Sequence, residues 1–149
     1  MGMQVPVSLK SGHDAIHAAL KRATGEPGAL GETARTIARI MSGHMMREEK
    51  FALRPLGLLK TLARGETPAE LAEAIRMSEG LRREMPQMID EHRQISELVR
   101  VLANEAQAEG KTEYVELAEE IVKHAHLEED VLYPAALLVG LYLTKAPAP

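Results

Sequence analysis

Apolar residues recur along most of this chain at intervals of three and four, the spacing of one face of a helix. From about Ser11 to Ala23, the residues His13, Ile16, His17 and Leu20 fall together, and Ser11 and Asp14 have the spacing of a capping box. After the punctuating "TGEPG", a second helix is predicted from near Leu30, with Ile37, Ile40, Met41, His44, Glu48 and Phe51 on one side until Pro55 kinks or ends it. "GLLKTLARG" adds a turn or two. In "TPAE", Thr67 reads as an N-cap, Pro68 as the first helical residue and Glu70 as the closing of a capping box.

The pattern from Pro68 to Ala108 contains Gly80 and Pro86, which predicts a short helix and then a long one. On the long one, Met88, His92, Ile95, Val99 and Leu102 share a face. Gly110 ends it and Thr112 caps the next helix, where Leu117, Ile121, His124, Glu128, Val131 and Leu132 run together. Pro134 turns the chain into the apolar "AALLVGLYL", and residues 145–149, "KAPAP", read as a disordered tail. The expected fold is all-α: an antiparallel up-down-up-down four-helix bundle, with residues 1–149 forming a single domain and short extra helical segments after Pro55, Pro68 and Pro134.

Composition narrows the chemistry. The 149 residues contain no cysteine, which excludes disulfides and thiolate-held metals, so any metal must be held by nitrogen and oxygen. Eighteen basic and 22 acidic residues are interspersed without a basic block, which argues against nucleic acid as a partner. The longest apolar run is far short of the roughly 20 residues that span a bilayer, and no signal-peptide core is evident, so a soluble cytoplasmic protein without a membrane partner is expected.

An imidazole and a carboxylate four residues apart sit one turn apart on the same helix face, where one metal can take both. His44 with Glu48, His124 with Glu128 and His126 with Asp130 have this spacing, against about one such pair expected by chance. Position decides more than the count. His13, His44, His92 and His124 fall one to each principal helix, each on the stripe that should face the core. The midpoint between His13 and His44 lies in the predicted "TGEPGAL" turn, and that between His92 and His124 lies beside Gly110, so in antiparallel hairpins all four stand at one level. The local patterns also repeat: "HDAI" with "HRQI", and "HMMREE...P" with "HAHLEE...P". Two similar hairpins each present one histidine from the first helix and a histidine with a carboxylate from the second. Burying such groups in an apolar core without a partner is costly, and a metal pair removes the cost. Mixed imidazole and carboxylate donors suit iron, with manganese and zinc behind it.

By its motifs "HDAI", "HMMREEKFALRPLGLL", "EHRQI" and "HAHLEEDVLYP", the sequence resembles the hemerythrin-like, or HHE cation-binding, family over nearly its whole length. The resemblance implies a four-helix bundle around two non-haem iron ions. Two carboxylates would bridge them, with an oxo or hydroxo bridge when oxidised, and the centre would bind or sense dioxygen or related small ligands. Carried over residue by residue, His13, His44, His92 and His124 correspond to terminal ligands, and Glu48 and Glu128 to the bridges. Oxygen-carrying members have a further histidine on the third helix where this chain has Ser96. That leaves one iron a ligand short, a place open to water, His17 or another side chain.

His17, one turn from His13, is expected to face inward as an extra ligand or as packing behind the ligands. Glu49 and Glu129 flank the inward face as additional candidates. His126, Glu119, Lys123 and Asp130 share a solvated stripe, and Tyr114 and Tyr133 read as packing residues with a hydrogen-bonded tip. The leading function is a di-iron protein binding dioxygen, nitric oxide or a related ligand for sensing, storage or protection. An enzyme acting on peroxide or nitric oxide at the same centre ranks second, because no general acid or base stands out. A metal-free interaction module or a histidine pH switch ranks third.

Overall fold

The computed structural model describes residues 3–145, and no strand occurs among them. The chain forms α1 (Val7–Thr24), α2 (Gly28–Arg47), a π-helical turn (Glu48–Leu53), a 3-10 turn (Arg54–Leu58) and the short α3 (Leu59–Ala63). Then come α4 (Leu71–Ala108), α5 (Thr112–Leu127), a second π-helical turn (Glu128–Leu132) and α6 (Tyr133–Lys145). Four long helices make the bundle, α1, α2, α4 and α5 each packing on the next and α5 closing back on α1.

The predicted stripes form the core. Ile16, Leu20 and Ala23 of α1 pack with Leu30, Ala34, Ile37 and Met41 of α2, with Ile95, Val99, Leu102 and Ala106 of α4, and with Leu117 and Ile121 of α5. Both hairpin turns lie at one end of the bundle. There the Tyr114 hydroxyl donates to Glu26 at 2.8 Å and Lys111 pairs with the same carboxylate, tying one turn to the other. Gly110 takes the left-handed conformation (φ 69°) that ends α4, so that Lys111 N–H reaches Ala106 C=O at 2.9 Å and Gly110 N–H reaches Gln107 C=O at 3.2 Å. A second core of Leu53, Leu56, Leu81, Met88, Leu132, Tyr133 and Ala136 packs α6 and the 48–58 segment against the N-terminal half of α4. Among the described residues, no helix is long and apolar enough to cross a membrane.

Several local expectations are corrected. The first helix starts at Val7 behind Pro6, whose carbonyl accepts from the amides of Leu9 and Lys10, so Ser11 is interior and caps nothing. Thr67 and Pro68 precede a turn rather than forming a capping box, α4 begins only at Leu71, and no separate helix follows Pro68. From there α4 runs uninterrupted for 38 residues through Gly80 and Pro86. Pro86 is on the exposed side, where the carbonyl it leaves unpaired can bond water. Gly80 is there for packing, since a Cβ would lie 2.5 Å from the Phe51 ring. Pro134 does not turn the chain either; it sits in the first turn of α6, where no N–H is needed. Val131 is 52% exposed rather than in the core. Lys145 is the last residue of α6, and the rest of the expected disordered tail lies outside the described residues.

Candidate metal centre

Between the two cores, five polar side chains are almost completely removed from solvent: His13, His44, Glu48, His92 and Glu128, none more than 5% exposed. His124 joins them with its side chain 17% exposed. The Nε2 atoms converge on the two carboxylates. His44 lies 3.1 Å from Glu48 Oε1 and His92 3.1 Å from Glu128 Oε1, while His13 and His124 lie 3.4 and 3.3 Å from Glu128 Oε2. His13 is also 3.9 Å from Glu48 Oε1.

Rings meet across the hairpins rather than within them. His13 packs edge-on against His124 at 4.7 Å between centroids, and His44 tilts over His92 at 4.6 Å. The common level follows from the two hairpins. The pairing follows from how they dock, which sets α1 beside α5 and α2 beside α4.

Both glutamates open a π-helical turn. Hydrogen bonding from i to i+5 widens the turn, so a residue five places on comes back to the same face. This brings Tyr133 inward, five residues after Glu128. Its hydroxyl donates to Glu48 Oε2 at 3.1 Å and lies 3.4 and 3.3 Å from Nε2 of His44 and His92. Its ring stacks on that of His92. Tyr133 does have a hydrogen-bonded tip as expected, but that tip is part of the centre.

Outer carboxylates orient two of the rings. His44 Nδ1–H donates to Glu91 Oε1 at 3.1 Å, and Arg47 pairs with the other Glu91 oxygen. His92 Nδ1–H donates to Glu129 Oε1 at 2.9 Å. Ionised carboxylates only accept, so these bonds assign the proton to Nδ1 and turn Nε2 inward. Glu129 therefore stands behind a histidine rather than within the inner donor group. Glu91 and Arg47 did not stand out in the sequence: they lie at the edge of the inward stripe, and only the α2–α4 contact gives them a role.

The remaining candidates lie apart. His17 is exposed, correcting its expected inward position; one further turn carries it to the rim of a groove between α1 and α2, which Asp14, Ser42 and Glu49 also line. Glu49 is exposed as well. Ser96 and His126 line a separate outer groove between α4 and α5.

Burial disfavours charge on His44, His92 and His124, and neighbours decide the outcome. Burial, aided by His13, pulls His124 down to about 4. Burial also lowers His92 against the pull of Glu129. His44 goes the other way: burial pulls it down, but carboxylates at both of its nitrogens outweigh that and raise it. Glu48 would be raised by burial, yet His44, with His13 and His124 behind it, holds it below the usual carboxylate range. Burial and the Glu48 charge push the Tyr133 phenol far up, so it stays a neutral donor.

The donor set fits a cation. His124 Nε2 is buried without a hydrogen-bond partner although a carboxylate oxygen is close, a cost that a metal ion between them would remove. The donors fall into two groups whose atoms lie within 4.8 Å of one another: His44, Glu48, His92 and Glu128, and His13, His124 and Glu128. Glu128 belongs to both.

No curated protein and no solved structure matches the chain. The family model for the hemerythrin HHE cation binding domain matches residues 8–136, spanning all four bundle helices and the buried histidine and glutamate cluster, and the chain belongs to that family.

Proposed function

We propose that the protein is a single-domain, cytoplasmic, non-haem di-iron protein that binds dioxygen, nitric oxide or a related small ligand for sensing, storage or protection. The observation that carries this reading is the position of Glu128, whose Oε1 faces His92 while Oε2 faces His13 and His124. Glu48 supports it, with Oε1 toward both His44 and His13. In this reading the four histidines would hold the metals as terminal ligands and the two glutamates would be shared between them. Mixed nitrogen and carboxylate donors suit iron. When bound there, ferrous iron would supply reducing electrons and Lewis acidity.

The chain supplies the enclosure. Ile16, Met41, Ile95 and Ile121 wall a void of about 10 Å³ against His44, Glu48, His92, His124 and Glu128. Such a space is near the lower bound for one water-sized molecule, too small for a large organic substrate. Metal analysis and optical spectra of protein expressed with iron test the reading. Two irons per chain with charge-transfer bands support it, and well under one iron per chain without such bands overturns it.

Tyr133 favours a second reading, an enzyme acting on peroxide or nitric oxide. A neutral phenol 3.1 Å from Glu48 holds a hydrogen-bond donor at Oη beside the histidine and glutamate donors, where it could orient a bound peroxide or nitric oxide. Peroxide turnover that is lost in Y133F while iron is retained supports this reading, and turnover that survives a chelator argues against it.

A further inference from the structure

The last helix is apolar on both sides. Its inward residues, Tyr133, Ala136, Val139, Gly140 and Leu143, are buried. Its outward residues include Leu138, which is 61% exposed, and the exposed Leu141 and Tyr142, and Val131 of the preceding π-helical turn extends the patch. A helix that is apolar all round normally lies inside a protein, and this one is open along one side. It cannot roll to bury that side, because Gly140 presses it onto α4 so closely that a Cβ there would lie 2.1 Å from Ser78 Oγ.

The exposed stripe is self-complementary. Asp130, Pro134, Leu138, Leu141 and Lys145 follow one another at steps of three and four residues, which sets them along one arc of the helical surface, and all five are exposed. Turned end for end about a point between Leu137 and Leu138, the stripe falls back on itself. Asp130 then takes the place of Lys145, Pro134 that of Leu141, and Leu138 stays beside the axis. At 1.5 Å per residue, the carboxylate and the ammonium stand roughly 11 Å to either side of that point, so in an antiparallel pair opposite charges meet at both ends. A lipid surface fits this face less well, since helices that lie on membranes carry rows of Lys and Arg beside their apolar side, and this stripe carries one lysine and one aspartate.

We propose that this face is the contact between two copies of the chain, a symmetric antiparallel pairing of α6 with α6. Leu138 of each copy packs at the two-fold axis, and Asp130 of each faces Lys145 of the other. A two-fold contact uses the same patch on both copies, which is what the end-for-end symmetry of the stripe provides. A single helix pair of this length buries less than the roughly 1,200 Å² at which stable interfaces begin, so the dimer forms and parts with concentration rather than being permanent. None of the metal donors takes part, so the pairing stands or falls separately from the two-metal reading.

Sedimentation velocity of the full chain expressed with iron, over a concentration series, tests the pairing. Wild type should pass from monomer to dimer as concentration rises. L138E, which puts two carboxylates at the axis, should stay monomeric throughout. D130K and K145D should each dimerise about 10-fold more weakly, because like charges then face each other at both ends. An equimolar mixture of those two variants should recover wild-type dimerisation, because each end of the mixed pair again joins opposite charges, an outcome that a parallel pairing does not give. Thermal unfolding confirms that each variant folds. Wild type that stays monomeric, a dimer that L138E leaves intact, or a mixture that dimerises no better than its components would each overturn the proposal. Monomeric wild type that co-sediments with phosphatidylcholine vesicles would overturn it in favour of a lipid surface.

Discussion

The Tyr133 hydroxyl and Glu48 Oε2 meet at 3.1 Å, joining the end of the second hairpin to the carboxylate of the first. Glu48 is 1% exposed, so its oxygen has no water to replace a lost donor. Y133F should therefore destabilise the metal-free protein by about 1–3 kcal/mol, the usual cost of a buried acceptor left without its partner. Chemical denaturation of wild type and variant without metal measures it.

Glu128 is common to both donor groups, whereas Ser96 and His126 belong to neither. E128A should abolish binding at both positions, and H126A and S96A should retain wild-type metal content. Metal analysis after identical loading separates these outcomes.

Metal should act as a folding ligand. A cation that binds only the folded chain stabilises it by about 2.7 kcal/mol at a free concentration 100 times its dissociation constant. Melting of the loaded protein should accordingly occur at a higher temperature than that of the metal-free protein, and a chelator should reverse the gain.

Without metal, stability should fall as the solution is acidified from about pH 6.5 to about 4. His124 is held down to about 4 in the folded chain against an unfolded value near 6.5. Across that interval the unfolded chain binds the extra proton, so acid favours unfolding. His92, lowered in the same direction by burial, adds to the trend. Urea denaturation of wild type and H124Q at several pH values tests this, with a shallower dependence expected in the variant.

The bond from the Tyr114 hydroxyl to Glu26, at 2.8 Å, lies at the far end of the bundle from the centre. Y114F should cost about 1 kcal/mol, an ordinary hydrogen-bond contribution. Metal content should not change, and measuring both separates bundle stability from the site.

What could be read from the residues was what depends on helical phase alone. His13, His44, His92 and His124 lie on apolar stripes of period 3.6, and equal distances from two turns put them at one level. What depends on docking could not be read this way: that His13 meets His124, that His44 meets His92, and that Glu91 reaches back to His44. The split expected near Pro86 failed because local propensity was overridden, the proline being exposed and the surrounding turns being held by packing on α6 and Phe51. His17 failed because one turn from an inward residue is also one step toward the rim. Tyr133 was placed in the core but not in the centre, because its phase depends on a widened turn that a 3.6-residue count does not contain.

That widened turn has a consequence for insertions and deletions. Between Glu128 and Tyr133 the chain measures position by counting residues more than by their identity. One residue added or removed in a helical segment swings everything after it by about 100° around the axis. A single-residue length change there would move the phenol away from Glu48 and would also rotate α6, exchanging its buried Ala136, Val139 and Leu143 with its exposed Leu138, Leu141 and Tyr142. Natural variation in length at this point would therefore alter the centre and the outer surface of the bundle together.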